Sequence, residues 1–216
     1  MNDVATKSSR KIGRPLSFDR DAALYQAMLL FWRHGYEGTS LSDLTAAMGV
    51  TPPSIYAAFG DKRRLFLEAV DRYLSGPVTA KSIIADAATA REAAADLLHA
   101  SVAGFTGTDT PPGCLLASAT ISCSAAAMDV QQALAARRQA IEADLRTRFV
   151  QAMATGELPA GTDADALAGH VMAVIQGLST LARDGAPREK LARIAETAMA
   201  VWPQGGGQGR APSSAD

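Results

Sequence analysis

Residues 39–62 read TSLSDLTAAMGVTPPSIYAAFGDK, and the punctuation of this stretch decides the fold. Ser40 precedes an apolar stripe of Leu41, Leu44 and Met48 at helical spacing, and Asp43 sits where it can reach back to the start, the pattern of a capping box. Gly49 ends that helix in a tight turn and Val50 plugs the core. Thr51-Pro52-Pro53 opens a second helix running to about Phe59, since proline suits a first turn whose N–H groups have no helical partner. A proline also restricts the residue before it, so this helix is expected to begin properly only at Pro53. Two short helices joined by about three residues predict a helix-turn-helix.

The flanks support that unit. Gly60-Asp61-Lys62-Arg63-Arg64 puts three cations in the first turn of a further helix, where they oppose the macrodipole at a few tenths of a kcal/mol each. An anionic partner over that terminus explains the choice, and a DNA phosphate fits; the alternative is three solvated side chains behind an Asp61 cap. Leu65, Phe66, Ala69, Val70 and Tyr73 carry an apolar stripe to Ser75-Gly76-Pro77, where a domain boundary is expected. That makes this helix the expected sole rigid link to the rest of the chain. Upstream, Leu24, Met28 and Phe31 mark a helix from Asp19 to His34, with Ser17 or Asp19 as cap and Gly35 as stop. Trp32 and Tyr36 are expected to close the base of a three-helix core, and His34 suits a helix C-terminus.

Charge is distributed unevenly. The net formal charge is −1, but residues 1–75 hold 10 Lys/Arg against 8 Asp/Glu, leaving 11 against 14 in the remainder. Lys7, Arg10, Lys11 and Arg14 fall in residues 1–16, which are polar, carry Gly13 and Pro15 around Arg14, and are expected to form a disordered basic arm. Gly13-Arg14-Pro15 is similar to arms that insert an Arg into a narrow minor groove. No apolar run approaches the roughly 20 residues of a membrane span and no signal peptide is evident, so a cytoplasmic location is expected. In a reducing compartment Cys114 and Cys123 are expected to be thiols.

Taken together, the GRP arm, the helix ending FWRHGYEGTS, and LSDLTAAMGVTPPSIYAAFGDKRRLF resemble the N-terminal 60 or so residues of the tetracycline-repressor (TetR) family of bacterial regulators. The resemblance implies that Tyr56 and Lys62 contact phosphates, that Thr39, Ser40 and Ser42 touch the DNA backbone, and that the N-terminal face of the proline-led helix reads bases. It also implies dimerisation through two long C-terminal helices and a small-molecule effector bound between helices. The chain departs from the commoner pattern at Pro52-Pro53. Neither proline carries an N–H, and the base-facing surface of Thr51, Pro52, Pro53, Ser54 and Ala57 is unusually apolar. Selectivity is therefore expected from methyl contacts and DNA shape, with few bidentate hydrogen bonds.

Residues 76–202 are rich in Ala, Leu and Arg and show helical periodicity without strand-like alternation, so the chain is expected to be all-α, with a helical bundle following residues 17–75. Helices are expected over Ala90–Phe105, Cys114–Ser124, Asp129–Thr155, Asp163–Arg183 and Arg188–Trp202, before a disordered tail over 203–216. On the Asp163–Arg183 helix, Leu167, Val171, Val174, Leu178 and Leu181 form one stripe. Gly169, Ala173 and Gly177 lie beside it at every fourth position, and with Leu181 they are the expected homodimer face.

The expected effector pocket inside the bundle is lined by Leu98, Phe105, Leu115, Ile121, Phe149, Met153, Met172 and Ile175, with His99, His170 and Gln176 as polar anchors. For each apolar residue a core role is the alternative. Cys114 and Cys123, nine positions apart on one expected helix, would face opposite sides and be separated by roughly 13 Å of rise, which opposes a disulfide. They read as buried small hydrophobes or, alternatively, as a redox or soft-metal sensor using Met128, His99 or His170. The three histidines have no metal spacing, and no nucleophile-elbow or phosphate-cradling glycine motif occurs, so neither an enzyme nor a cofactor is expected. The expected partners are an operator in double-stranded DNA, a small-molecule effector and a second copy of the chain.

Overall fold

The computed structural model describes residues 18–120 and 124–203; Arg14 and the basic arm, Ile121, Cys123 and the tail from 204 lie outside the described residues. Helices α1 (Arg20–His34), α2 (Leu41–Met48), α3 (Pro52–Phe59) and α4 (Lys62–Leu74) form the N-terminal unit. Helices α5 (Ala80–Asp86), α6 (Ala90–Phe105), α7 (Leu115–Ser118), α8 (Met128–Ala154), α9 (Ala164–Arg183) and α10 (Arg188–Ala198) form the rest. There is no strand among the described residues.

Local chemistry sets most boundaries. Asp19 caps α1 by accepting from the amides of Asp21 and Ala22, and Gly35 closes it at φ +76°. Ser40 and Asp43 form the expected reciprocal capping box of α2, and Gly49 ends it in the left-handed conformation. The proline-led helix begins at Pro52, one residue earlier than expected: the Pro53 ring does not keep Pro52 out of the first turn, and the extended cap residue is Thr51, at ψ 156°. Asp61 caps α4 through the Arg64 amide.

Two corrections come from the C-terminal half. Helix α5 is additional, started by a Thr79–Ser82 capping box and burying only Ile84. Among the described residues of the expected Cys114–Ser124 helix, only the four of α7 are helical, and Ala119 and Thr120 already leave it. The carbonyl of Ala119, which a longer helix would use internally, instead accepts the Tyr36 amide at 3.0 Å. With that helix gone, the expected 13 Å separation of the two cysteines lapses.

Packing does not follow the chain boundary after Ser75. One core joins α1–α4 to Leu115, Leu116 and Ala119 of the α7 segment and to Val130 and Leu134 of α8. The second unites α5, α6, α9 and α10 with Leu145 and Phe149 of the same long helix. Cys114 and Ile141 pack against both. Leu167, Val171 and Leu178 of α9 are spent inside this second core, whereas Ala173 and Gly177 are exposed and Gly169 and Leu181 half-buried. No described helix is long and apolar enough to cross a membrane.

Candidate nucleic-acid interface and effector cavity

Helix α3 presents Thr51, Pro52, Pro53, Tyr56 and Ala57 to solvent while Ile55 and Phe59 anchor its other side. Tyr56 is 53% exposed, which leaves its ring and hydroxyl open to a partner from outside. Inside the first turn of α3 no amide is spare: the Ser54 and Ile55 N–H groups both bond the Thr51 carbonyl, at 2.9 and 3.2 Å, and the prolines have none. The Thr51 and Ser54 hydroxyls lie 2.9 Å apart in a hydrogen bond to each other, which further reduces what this turn can offer a phosphate or base.

Other expected contacts divide. Ser40 and Ser42 are exposed at the start of α2. Thr39 is fully buried and its hydroxyl donates to the Gly35 carbonyl at 2.7 Å, so its side chain serves the turn and is withdrawn as a phosphate ligand. Lys62 is half-buried with its ammonium 4.6 Å above the Tyr36 ring, and desolvation holds its pKa below the usual lysine value. Arg63 is ion-paired to Asp129 at the start of α8, which takes one of the three cations away from an external anion.

The N-terminal unit is held to the bundle by a second link besides α4, so the expectation of a single rod is corrected. The segment 113–119 is its centre. Trp32 is buried at the base of the N-terminal core as expected, its ring edge-on to Tyr73 of α4, and its indole Nε1 also reaches beyond the unit by donating to the Gly113 carbonyl at 3.1 Å. Tyr36 stacks in the core too, against Phe31 and Phe66. On the bundle side, the Ser179 hydroxyl accepts from the Cys114 amide at 2.8 Å. Arg183 of α9 donates to the Trp32 and Arg33 carbonyls, both at 3.1 Å, capping α1 where its last carbonyls have no helical donor. Glu37 accepts from the Ser124 amide and hydroxyl, and those two bonds lower its pKa.

Behind this segment lies a cavity of about 270 Å³. Four expected residues line it: Phe105, Met172, Ile175 and Gln176. Leu98, Leu115 and Phe149 are fully buried core instead, and Met153 packs against the bundle core. His99 is exposed, and His170 Nε2 pairs with the Ala198 carbonyl at 3.2 Å; neither lines the cavity. Sequence reasoning missed Trp32, Tyr73 and Arg138 in the lining. Arg138 had a signal: it sits four residues after Leu134 and three before Ile141, a cation in register with an apolar stripe. Cys114 also lines the cavity, and the Tyr73 hydroxyl donates to its sulfur at 3.5 Å; burial, first, and the neighbouring thiol push the phenol well above its ordinary pKa, so it remains a donor.

An exposed helix-turn-helix joined to an α-helical bundle with an apolar cavity defines the class of DNA-binding transcription regulators. Residues 23–69 match the family described as "Bacterial regulatory proteins, tetR family", and residues 82–198 match "Tetracyclin repressor-like, C-terminal domain". The chain belongs to the TetR family. It is 41% identical over 201 residues to the HTH-type transcriptional repressor ComR of Escherichia coli (strain K12), covering 92% of this chain and 94% of that protein. It is 27% identical to the HTH-type transcriptional repressor BdcR of the same strain, over 90% and 94% of the two chains. Among solved structures, the TetR-family regulator CifR, a cysteine-substituted form complexed with 26-base-pair operator DNA, is 43% identical with a TM-score of 0.84, covering 88% of this chain and all of that one.

Proposed function

We propose that the protein is a dimeric repressor that holds an operator through α2 and α3 and releases it when a small molecule occupies the cavity behind residues 113–119. The observation that carries this reading is the composition of the cavity wall. Trp32 and Tyr73 come from the DNA-binding unit, while Cys114, Leu116 and Ala117 come from the segment hydrogen-bonded to it. A ligand that fits only after these groups shift therefore shifts the unit itself.

The consequence for DNA is geometric. Two α3 helices must enter successive major grooves about 34–36 Å apart, so a rotation of each N-terminal unit spoils the fit. Release requires only that the effector bind the DNA-incompetent arrangement more tightly, by about 1.4 kcal/mol for each tenfold loss of affinity. Tyr56, Ser40, Ser42 and Lys62 are the proposed phosphate contacts, and Thr51, Pro52, Pro53, Ser54 and Ala57 the proposed base-facing surface. CifR, bound to operator DNA in its own structure, supports this use of the shared fold. For the dimer we take the face of α9 bearing Gly169, Ala173, Gly177 and Leu181; a Cβ at Gly177 would meet nothing within 4 Å, which leaves room for a close second helix. The thiol-sensing alternative gains nothing from the fold, since the histidines considered as partners lie away from the cavity that Cys114 lines.

Two experiments test the reading. Small molecules are screened for release of the protein from DNA upstream of its own gene; a specific retarded complex that some compounds dissolve is expected, and failure to bind that DNA contradicts it. Sedimentation of an Ala173→Glu, Gly177→Glu variant should give a monomer, and a dimer unaffected by both changes would place the interface elsewhere.

A further inference from the structure

Helix α8 carries four arginines, and three have carboxylate partners: Arg137 with Asp71, Arg146 with Asp165 and Arg148 with Glu157. Arg138 differs. It is half-buried, lines the cavity, and makes one side-chain hydrogen bond among the described residues, from Nη1 to the Leu116 carbonyl at 2.5 Å. No other charged residue is found in the lining among the described residues, and most of the wall is apolar, including Ile83, Leu97, Phe105 and Ile175. A guanidinium has five N–H donors, and a cation held against an apolar surface without a counter-charge is expensive unless an anion joins it.

Resting on the effector reading above, we infer that the cavity takes a small amphipathic carboxylate, its acid group paired with Arg138 and its hydrocarbon body against the apolar wall. Arginine matches a carboxylate bidentately and keeps its charge at any physiological pH. The cavity, at about 270 Å³, lies at the small end of ligand pockets and so suits a small acid. The same side chain carries the signal. Arg138 caps a carbonyl of α7, and Ala119, immediately after α7, accepts the Tyr36 amide of the DNA-binding unit. A carboxylate that draws the guanidinium toward the cavity pulls on the segment that positions that unit.

Calorimetry on the full chain without DNA tests the assignment, using octanoate and phenylacetate against their neutral isosteres octanamide and phenylacetamide. At least one carboxylate should bind tenfold or more tightly than its amide. Arg138→Gln should bring that ratio close to one, while Arg138→Lys, which keeps the charge, should retain part of it. Because each ratio is taken within one protein, a general loss of affinity cannot mimic the result, and the Lys variant decides the matter if the Gln variant does not fold. The assignment is overturned if neither carboxylate outbinds its amide in the unaltered protein, or if the preference survives in Arg138→Gln. Carboxylate binding at Arg138 that leaves DNA affinity unchanged would overturn the effector reading and spare this one; release of DNA by the amides alone would do the opposite.

Discussion

The α2–α3 corner and the 113–119 segment are both short, both turn on a glycine with positive φ, and are held in opposite ways. The corner is self-contained: Ser40 and Asp43 satisfy each other, Gly49 turns with nothing within 4 Å of its missing Cβ, and Thr51 accepts the next two amides. The segment is held by residues from afar, namely Trp32, Tyr36, Ser179 and Arg183. A surface that must present one shape to DNA gains from local rigidity. On the proposed mechanism, a segment that changes its partners when the cavity fills gains from being fixed only by those partners.

The largest effect that separates the two is expected at their glycines. A Cβ at Gly113 would meet the Ser179 carbonyl oxygen at 2.7 Å and Arg183 Cγ at 2.8 Å, on a backbone at φ +78°. Gly113→Ala should therefore cost about 3 kcal/mol in urea unfolding, strain and overpacking together. Gly49→Ala meets no neighbour and should cost about 1–2 kcal/mol, the left-handed penalty alone. Equal losses at the two sites would dissolve the distinction.

Removing one polar group from each region should have a smaller effect, with a difference in kind. Ser40→Ala takes away the α2 cap and should cost about 1 kcal/mol of stability while leaving ligand binding in the cavity unchanged. Arg183→Ala uncaps α1 and frees the segment, also at about 1 kcal/mol, and should change the ligand concentration needed to release DNA. Thermal melts and release titrations on both variants check this.

The smallest effect is on acid sensitivity. The Glu37 carboxyl is lowered by its bonds from Ser124 and the Asp129 carboxyl by its bond from Arg63, and both contacts cross from the N-terminal unit to the bundle. With folded pKa values below the unfolded ones, their contribution is present above the ordinary carboxylate values near 4 and is lost as pH falls through the folded values. A Glu37→Gln, Asp129→Asn variant should show a shallower loss of stability below pH 5 than the unaltered protein, and parallel curves would count against these contacts.

The same contrast explains what was legible in the sequence. Helices α1 to α4 were readable because Asp19, Ser40, Gly49, Pro52 and Asp61 act on residues within four positions of themselves. The end of α7 was not, because Tyr36, 83 positions earlier, claims the Ala119 carbonyl. Helix α5 was missed because a seven-residue element with one buried side chain leaves almost no periodicity. In the expected pocket the apolar residues were identified by hydrophobicity, which cannot separate Phe105 on the cavity wall from Phe149 in the core. Thr39 was assigned to DNA through resemblance, and only its burial reveals that its hydroxyl is committed to Gly35.

We propose that the exposed face of α2 and α3 grips DNA chiefly through phosphate contacts and shape. This central proposal is tested most directly by fluorescence anisotropy on DNA from upstream of the protein's own gene, titrated across salt concentration. We predict that the logarithm of affinity falls linearly with the logarithm of salt, and that Tyr56→Ala weakens binding about tenfold at every concentration without moving the melting midpoint. Affinity that ignores salt, or that survives Tyr56→Ala unchanged, would contradict the account.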